Sequence, residues 1–359
     1  MRNKEYWENR AIQGIVSSES SVLDYEARLL QAYEYTLAEI KKEVNSFFQK
    51  YAEENKIPYA NARKRLTASE RKGFNALLTE WYAIAREMGL SESYQSYLKE
   101  LGKKVYVSRM EEMEASIRFQ IEKLKGNQHS WMSDLMRDNY MFGYYNSYYN
   151  LAKGVETGVK FTELDTNSIE RAVRTRWDKA NYSERIWSDR DKLVRTLAQV
   201  IPQSFARGIN SNDIARLLAK ELGASQSRAR TLVRTEINFI CNQSTLDVYK
   251  AAGLDEYEYL ATLDSKTSEI CRSLDGQVFR VTQASVGINY PPMHPYCRST
   301  TVAHFPDDDW DGERAARDEE GKTIRVPRKT TQEDWIKQYV PEDQQAKMLR
   351  FLKSYGKAE

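Results

Sequence analysis

"GLDEYEYLATL", residues 253–263, is where the chain changes its period. Upstream of Gly253 apolar residues recur every three or four positions. Downstream, Tyr257, Tyr259, Ala261 and Leu263 alternate with Glu258, Leu260 and Thr262, which is the spacing of a strand rather than a helix. Gly253 stands where a helix would close on a residue in the left-handed region. Residues 277–281 have the β-branched and aromatic makeup of a second strand, and residues 299–305 supply a third. The fold class that follows is α+β and mostly α-helical: an extended helical N-terminal array, then a small C-terminal module with a short antiparallel sheet.

The helical part is read from its stripes. Between residues 21 and 51, Leu23, Ala27, Leu30, Tyr33, Leu37, Ile40, Val44, Phe47 and Tyr51 fall on one face of a long amphipathic helix. Thr67 and Glu70 have capping-box spacing ahead of Phe74, Leu77, Leu78, Trp81, Ile84 and Met88, and Gly89 ends that run. Ser91 can cap a third helix, and Met110, Met113, Ile117 and Ile121 mark a fourth that is expected to stop at Gly126. The run YMFGYYNSYY, residues 140–149, suits a buried seam between helices, with hydroxyls reaching its edge. From 167 to 223 the pattern is helical again. Gly208 and Asn210 break it, Asn212 or Asp213 caps Ile214, Leu217, Leu218 and Leu222, and Gly223 is expected to close it before another helix over 225–252. The expected divisions are 1–125, an N-terminal helical array; 126–223, a basic middle region; 224–306, the C-terminal module; and 307–359, an acidic linker with a terminal helix over 335–352.

Composition bounds the partners. The 359 residues are 41% hydrophobic and 30% charged, with a mean hydropathy of -0.72, and no apolar run approaches the ~20 residues of a bilayer span. The N-terminus MRNKEYWENR lacks the apolar core of a secretory signal, so a cytosolic chain is expected. Its three cysteines, Cys241, Cys271 and Cys297, are an odd number and favour free thiols or a metal over a disulfide framework. Net charge is only +2, but residues 168–236 hold 14 Lys and Arg against 8 acids, while residues 307–320 hold 8 acids against 2 arginines. The basic middle can neutralise the phosphates of a polyanion, or it can be a solvated helical face.

The chemistry gathers around PPMHPYCRST, residues 291–300. Pro291, Pro292 and Pro295 fix their own φ and bias the preceding residues towards extended backbone, so His294 and Cys297 are presented from a stiff segment. With Cys271 they make the thiolate and imidazole set that Zn²⁺ favours, and Asp264, Asp275 or His304 could supply a fourth donor. The spacing lacks a paired C-x₂-C, so a loop closed by packing and hydrogen bonds, with cysteines as small apolar residues, fits it as well. Cys241, beside Phe239 and Ile240, reads as plain core. Arg234, Glu236, Asp264, Glu269, Cys271 and His294 could converge on an enzyme site. However, no orienting third group, oxyanion hole, phosphate loop, GxGxxG or HExxH is written in the sequence, and the expectation is no enzyme.

The run ATLDSKTSEICRSLDGQVF (261–279), followed by GINYPPMHPYCRSTTV (287–302), resembles the C-terminal signature of phage minor head, or head morphogenesis, proteins of the Mu F-like family. The matching positions are Asp264, Thr267 and Cys271, then Asp275 and Gly276, then Pro291, Pro292, His294, Pro295, Cys297 and Arg298. EYWENR near the N-terminus, NYSERIW (181–187), GINSNDIARLL (208–218) and ARTLVRTE (229–236) agree with the same resemblance. It implies a non-enzymatic virion component at the portal vertex or head interior, made in the host cytoplasm and incorporated during prohead assembly. Such a component would be present in few copies and linked to DNA packaging, retention or delivery. Its implied partners are the portal protein, scaffold or major capsid protein, and packaged double-stranded DNA. Some relatives carry a toxin or enzyme domain after the signature, and the roughly fifty residues beyond Pro306 are too few for one. Arg234 and Glu236 resemble a family-typical pair, expected to form an ion pair or cap. Arg171, Arg174, Arg176, Arg190, Lys192 and Arg195 are the candidates for DNA contact. A zinc-stabilised cytosolic DNA-binding protein and a hydrolase or transferase using the Cys, His and acidic cluster are the alternatives.

Overall fold

The computed structural model describes residues 4–51, 57–155, 164–264, 266–305, 313–317 and 323–327. Within them the chain is mostly helical: α1 (Lys4–Tyr51), α2 (Tyr59–Ala62), α3 (Ala68–Glu87), α4 (Glu92–Lys103), α5 (Arg109–Val155), α6 (Thr166–Arg174), α7 (Tyr182–Ala206) and α8 (Ser211–Ala251). The C-terminal module follows with β1 (Glu256–Leu260), α9 (Glu269–Leu274), β2 (Val278–Arg280) and β3 (Thr300–His304), which makes the fold α+β with a small antiparallel sheet of order β2-β1-β3. The expected terminal helix over 335–352 lies outside the described residues. Part of the segment expected as an acidic linker is instead a hairpin, with β4 (Glu313–Arg317) paired antiparallel to β5 (Thr323–Pro327). No described helix is long and apolar enough to cross a membrane.

The chain divides into two compact units, both discontinuous. The described residues within 24–133 and 182–230 form one, and those within 1–23, 134–181 and 231–359 form the other. The long helices α1, α5 and α8 each contribute residues to both. Each of these helices, more than 40 residues long, is thus one element that serves two different cores.

In the first of these units the capping box at Thr67 is fully formed. Glu70 donates its backbone N–H to Thr67 Oγ1 at 3.3 Å and Thr67 donates its own to Glu70 Oε2 at 2.7 Å. Ser91 caps α4 through the Tyr94 N–H. Trp81 of α3 stacks on Phe119 of α5 at 4.9 Å within a core that also takes Phe74, Tyr94 and Leu98. The α1 stripe holds from Tyr33 onward, where Tyr33, Ile40, Val44 and Phe47 are buried as expected, but is offset before it: Val22, Tyr25 and Leu29 are buried, whereas Leu23, Ala27 and Leu30 are exposed. Two helical series one residue apart were available, and period alone cannot choose between them.

Two glycines read as stops are passed without a break. Gly126 lies inside α5, and a Cβ there would come 2.3 Å from Leu90 Cδ2, so the residue marks close packing on α5. Gly223 lies inside α8 with nothing within 4 Å. A helical glycine costs about 1 kcal/mol relative to alanine, which the burial on either side outweighs.

This unit also buries charge. Lys125 is fully buried, and its Nζ faces Asp189 Oδ2 and Tyr33 OH, each at 2.7 Å, with Ser225 Oγ at 2.9 Å. Burial disfavours the charged carboxylate of Asp189, yet Lys125, Ser225 and Arg228 together hold it below the usual range. Arg190 donates through Nη1 to both oxygens of the buried Glu122, at 3.2 and 3.0 Å, and to Ser91 Oγ.

In the other unit Tyr140, Tyr144 and Tyr148 take the buried face of α5 at i, i+4 spacing. The expected aromatic seam is thus half of one, because Phe142, Tyr145 and Tyr149 are exposed. Tyr140 donates to Asp247 Oδ2 of α8 at 2.7 Å. Gly143 of α5 sits so close to α8 that a Cβ would fall 2.2 Å from Ser244 Oγ. α8 closes as the sequence indicates: Gly253 has φ +69° and Leu254 N–H returns to Tyr249 O at 2.9 Å. In the sheet β1 is central, and even Glu258 on it is buried, so the strand's alternation separates two packed faces rather than a wet and a dry one.

Candidate metal centre

The module is assembled from turns as much as from the sheet. Leu274, Asp275, Gly276 and Gln277 form a turn closed by Gln277 N–H on Leu274 O at 3.0 Å, with Asp275 extended and Gly276 at φ +74°. This is type II geometry, whose third position needs positive φ and so selects glycine. Asp275 also accepts the Ala261 N–H at 2.8 Å, tying the turn to the end of β1. A second turn spans His294 to Cys297, closed by Cys297 N–H on His294 O at 3.1 Å. Pro295 holds its second position, and Tyr296 occupies the third with φ +61°. A tyrosine there costs on the order of 1–2 kcal/mol, and the gain is that His294 and Cys297 are brought to one side of the loop.

Cys271 arrives from α9, whose cap Ser268 accepts the Cys271 N–H at 3.3 Å. Its Sγ lies 3.3 Å from His294 Nε2 and 3.8 Å from Cys297 Sγ, and the three ligand atoms all lie within 4.8 Å of one another. Ser268 Oγ is 2.8 Å from the same Nε2, and Tyr259 donates its hydroxyl to Cys271 Sγ at 3.4 Å. His294 Nδ1 faces the Pro295 carbonyl at 2.8 Å, which assigns the Nδ1 proton and turns Nε2 towards the sulfurs. Both cysteines are buried, in a pocket of Tyr259, Ala261 and Met293. The hydrogen bond from Cys297, with His294 and Ser268 behind it, holds the Cys271 thiol far below the usual thiol range, while the bond to Cys271 and burial push Cys297 up. The bond to Cys271 raises His294. The two thiols therefore titrate as a pair rather than independently.

None of the expected fourth donors joins them. Both carboxylate oxygens of Asp264 are taken by Arg298, Oδ1 from Nη2 at 2.7 Å and Oδ2 from Nη1. Thr267 Oγ1 and the Lys266 N–H complete that carboxylate's shell at 3.1 and 2.8 Å. Burial works against its charge, but Arg298 and these donors keep Asp264 below the ordinary carboxylate range. Asp264, Thr267 and Arg298 therefore form a bracket between two loops rather than a ligand set. Asp275 serves its turn, and His304 Nδ1 lies 4.0 Å from Glu258. The peptide bond between the buried Pro291 and Pro292 is cis.

The signature loop is seated on α8 by side chains the sequence reading passed over. Asn238 and Asn242 donate to Ser299 O at 3.0 and 3.3 Å, Tyr290 donates to Asn242 O at 2.9 Å, and Thr235 Oγ1 accepts the Tyr296 N–H at 3.1 Å. Ser268 and Tyr259 were also missed, although Ser268 stands three residues before Cys271, the spacing of a cap. Glu236 is buried and accepts the Trp177 indole N–H at 3.2 Å; Arg234, two residues away, cannot share its helix face. Cys241 is half-buried rather than plain core, with Ser18 Oγ 3.2 Å from its sulfur.

The basic candidates separate. Arg171, Arg174 and Arg176 are exposed in the unit that holds the module, where Arg171 and Arg174 lie 3.8 and 3.7 Å from Asp165 and Glu170. Lys192 and Arg195 are exposed on α7. Arg190 is not available to DNA: it is 8% exposed and spent on Glu122, a fate that a count of charges cannot foresee.

Comparison with known proteins agrees with the signature. Residues 195–302 match the family described as Phage Mu protein F like protein. The minor head protein GP7 of Bacillus phage SPP1 is 22% identical over 327 residues, covering 87% of this chain and 92% of that protein. An NAD(+)--arginine ADP-ribosyltransferase EFV of Enterococcus faecalis is 26% identical over 139 residues, 38% of this chain and 28% of that protein. No solved structure matches the chain. A similarity running nearly end to end with a phage minor head protein, joined to the family match over the segment that carries Cys271, His294 and Cys297, makes this chain similar to the Mu F-like phage minor head proteins.

Proposed function

We propose that the chain is carried in the virion at the portal vertex or head interior, after synthesis in the host cytoplasm. It joins the prohead there through contacts with the portal protein, aided by scaffold or major capsid protein, and takes part in DNA packaging, retention or delivery. The observation that carries this reading is the similarity over 92% of a protein named as a minor head protein. The exposed Arg171, Arg174, Arg176, Lys192 and Arg195 support a contribution from packaged double-stranded DNA, through non-specific phosphate contacts. A hydrolase or transferase reading is not favoured: Cys271 is 2% exposed, which denies a substrate access to its sulfur. The shared segment is little more than a quarter of the ADP-ribosyltransferase, and carries no transferase assignment to this chain.

Co-expression with the portal protein tests the reading. The expected outcome is a complex that survives gel filtration, and purified virions holding far fewer copies of this chain than of major capsid protein. A chain absent from virions and indifferent to the portal ring would overturn it. For DNA, replacing Arg171, Arg174 and Arg176 by alanine should weaken binding about equally for all sequences and flatten its salt dependence.

A further inference from the structure

We propose that Cys271, His294 and Cys297 are the protein ligands of a zinc ion that locks the C-terminal module closed. In a tetrahedral site with Zn–S of about 2.3 Å and Zn–N of about 2.05 Å, two sulfurs stand about 3.8 Å apart and a sulfur and nitrogen about 3.5 Å. The distances here are 3.8 Å for Cys271 Sγ to Cys297 Sγ and 3.3 Å for Cys271 Sγ to His294 Nε2. Two of the three donor spacings are already those that a shared ion imposes, the third lies within 4.8 Å, and hydrogen bonds stand in the ion's place.

Three further features point the same way. Histidines that bind metal commonly fix their tautomer by donating the other ring N–H to a carbonyl, and His294 Nδ1 faces the Pro295 carbonyl at 2.8 Å. Two thiolates and a neutral imidazole cancel the charge of a divalent cation, so the loaded site suits a pocket where both cysteines are 2% exposed. The ligands also come from two segments 23 residues apart, the first turn of α9 and the proline turn, so one ion cross-links the module. With Asp264 committed to Arg298, the fourth position falls to an oxygen at Ser268, its own hydroxyl or a water it holds, since Ser268 Oγ is 2.8 Å from Nε2. On binding, the ion replaces the thiol protons, which pass to solvent, and no oxidation is involved.

The test uses the full chain, purified under reducing conditions, stripped with chelator and titrated with Zn²⁺ or Co²⁺ alone. One equivalent of metal per chain is expected, with the visible spectrum of tetrahedral cobalt and a thiolate-to-metal charge-transfer band. Zinc should protect the segment over 257–305 from proteolysis and block alkylation of two of the three cysteines. Cys271→Ser and Cys297→Ser should each abolish stoichiometric binding, Asp264→Asn should retain it, and Ser268→Ala should weaken it about 10–100-fold. The wild-type spectrum reads thiolate ligation without any variant, so a misfolded mutant does not blur the result. Absence of the charge-transfer band in folded protein, metal retained after both cysteines are replaced, or a Cys271–Cys297 disulfide as the native form would each overturn the proposal. The measurement needs no portal protein, so its failure leaves the virion reading standing, and the reverse.

Discussion

The two units keep their interiors in order with a different emphasis. In residues 24–133 with 182–230, regular helices bury apolar stripes, and buried charges are met by other side chains: Lys125 by Asp189, Arg190 by Glu122. In the module of the other unit, side chains hold backbone: Asn238 and Asn242 on Ser299 O, Asp275 on the Ala261 N–H, Thr262 on Arg298 O. Helices satisfy their own amides and leave polar side chains free to pair. A loop of turns does not, and its amides and carbonyls must be met one by one. Damage to the first should therefore spread through a cooperative core, and damage to the second should open a local segment.

The largest effect is expected at the helical interior. Lys125→Ala removes one cation and leaves Asp189 with Arg228 and Ser225 as its remaining partners; breaking a buried pair costs about 3–5 kcal/mol, and the surviving Arg228 contact places the loss at the low end, about 3 kcal/mol. Chemical unfolding followed by circular dichroism should show that loss across the whole helical signal. A loss near zero, or one confined to part of the transition, would remove the first half of the contrast.

Arg298→Ala strikes the module's bracket and should cost less, about 2–3 kcal/mol, because Arg298 is partly solvated. Its sign with pH is fixed by Asp264. The folded carboxyl titrates below its unfolded value, so the bracket contributes in full above the unfolded pKa and is lost as pH falls through the folded one. Wild type and variant should thus differ most near neutrality and converge in acid. Hydrogen exchange should rise around residues 261–264 and 298–300 while the helical unit keeps its protection.

How much of this was legible follows the same division. The capping box at Thr67, the cap at Ser91, the end of α8 at Gly253 and the three strands of the sheet were all readable, because each depends on residues within one turn of helix or one strand. The meeting of Cys271, His294 and Cys297 was readable as chemistry, although not the exclusion of Asp264, whose partner Arg298 lies 34 residues away. Arg190 looked like any surface arginine, since nothing near it announces Glu122, 68 residues upstream. The start of the α1 stripe, where Leu23 and Leu30 face solvent, and the sharing of the long helices between two units were not legible for one reason: both depend on which neighbour a face meets.

The smallest effects come from the two glycines that looked alike in sequence. Gly126 and Gly223 each seemed to end a helix, and each lies within one. Gly126→Ala would place a methyl 2.3 Å from Leu90 Cδ2, and displacing that buried leucine should cost about 1–3 kcal/mol, more than the roughly 1 kcal/mol gained in helix propensity. Gly223→Ala meets nothing within 4 Å, so only the propensity remains and the protein should gain up to about 1 kcal/mol. Measured side by side in urea, the pair should move the midpoint in opposite directions. If both variants stabilised, Leu90 would have room to yield and close packing would not be why α5 carries a glycine there; if both destabilised, α8 would be less regular at Gly223 than a continuous helix requires.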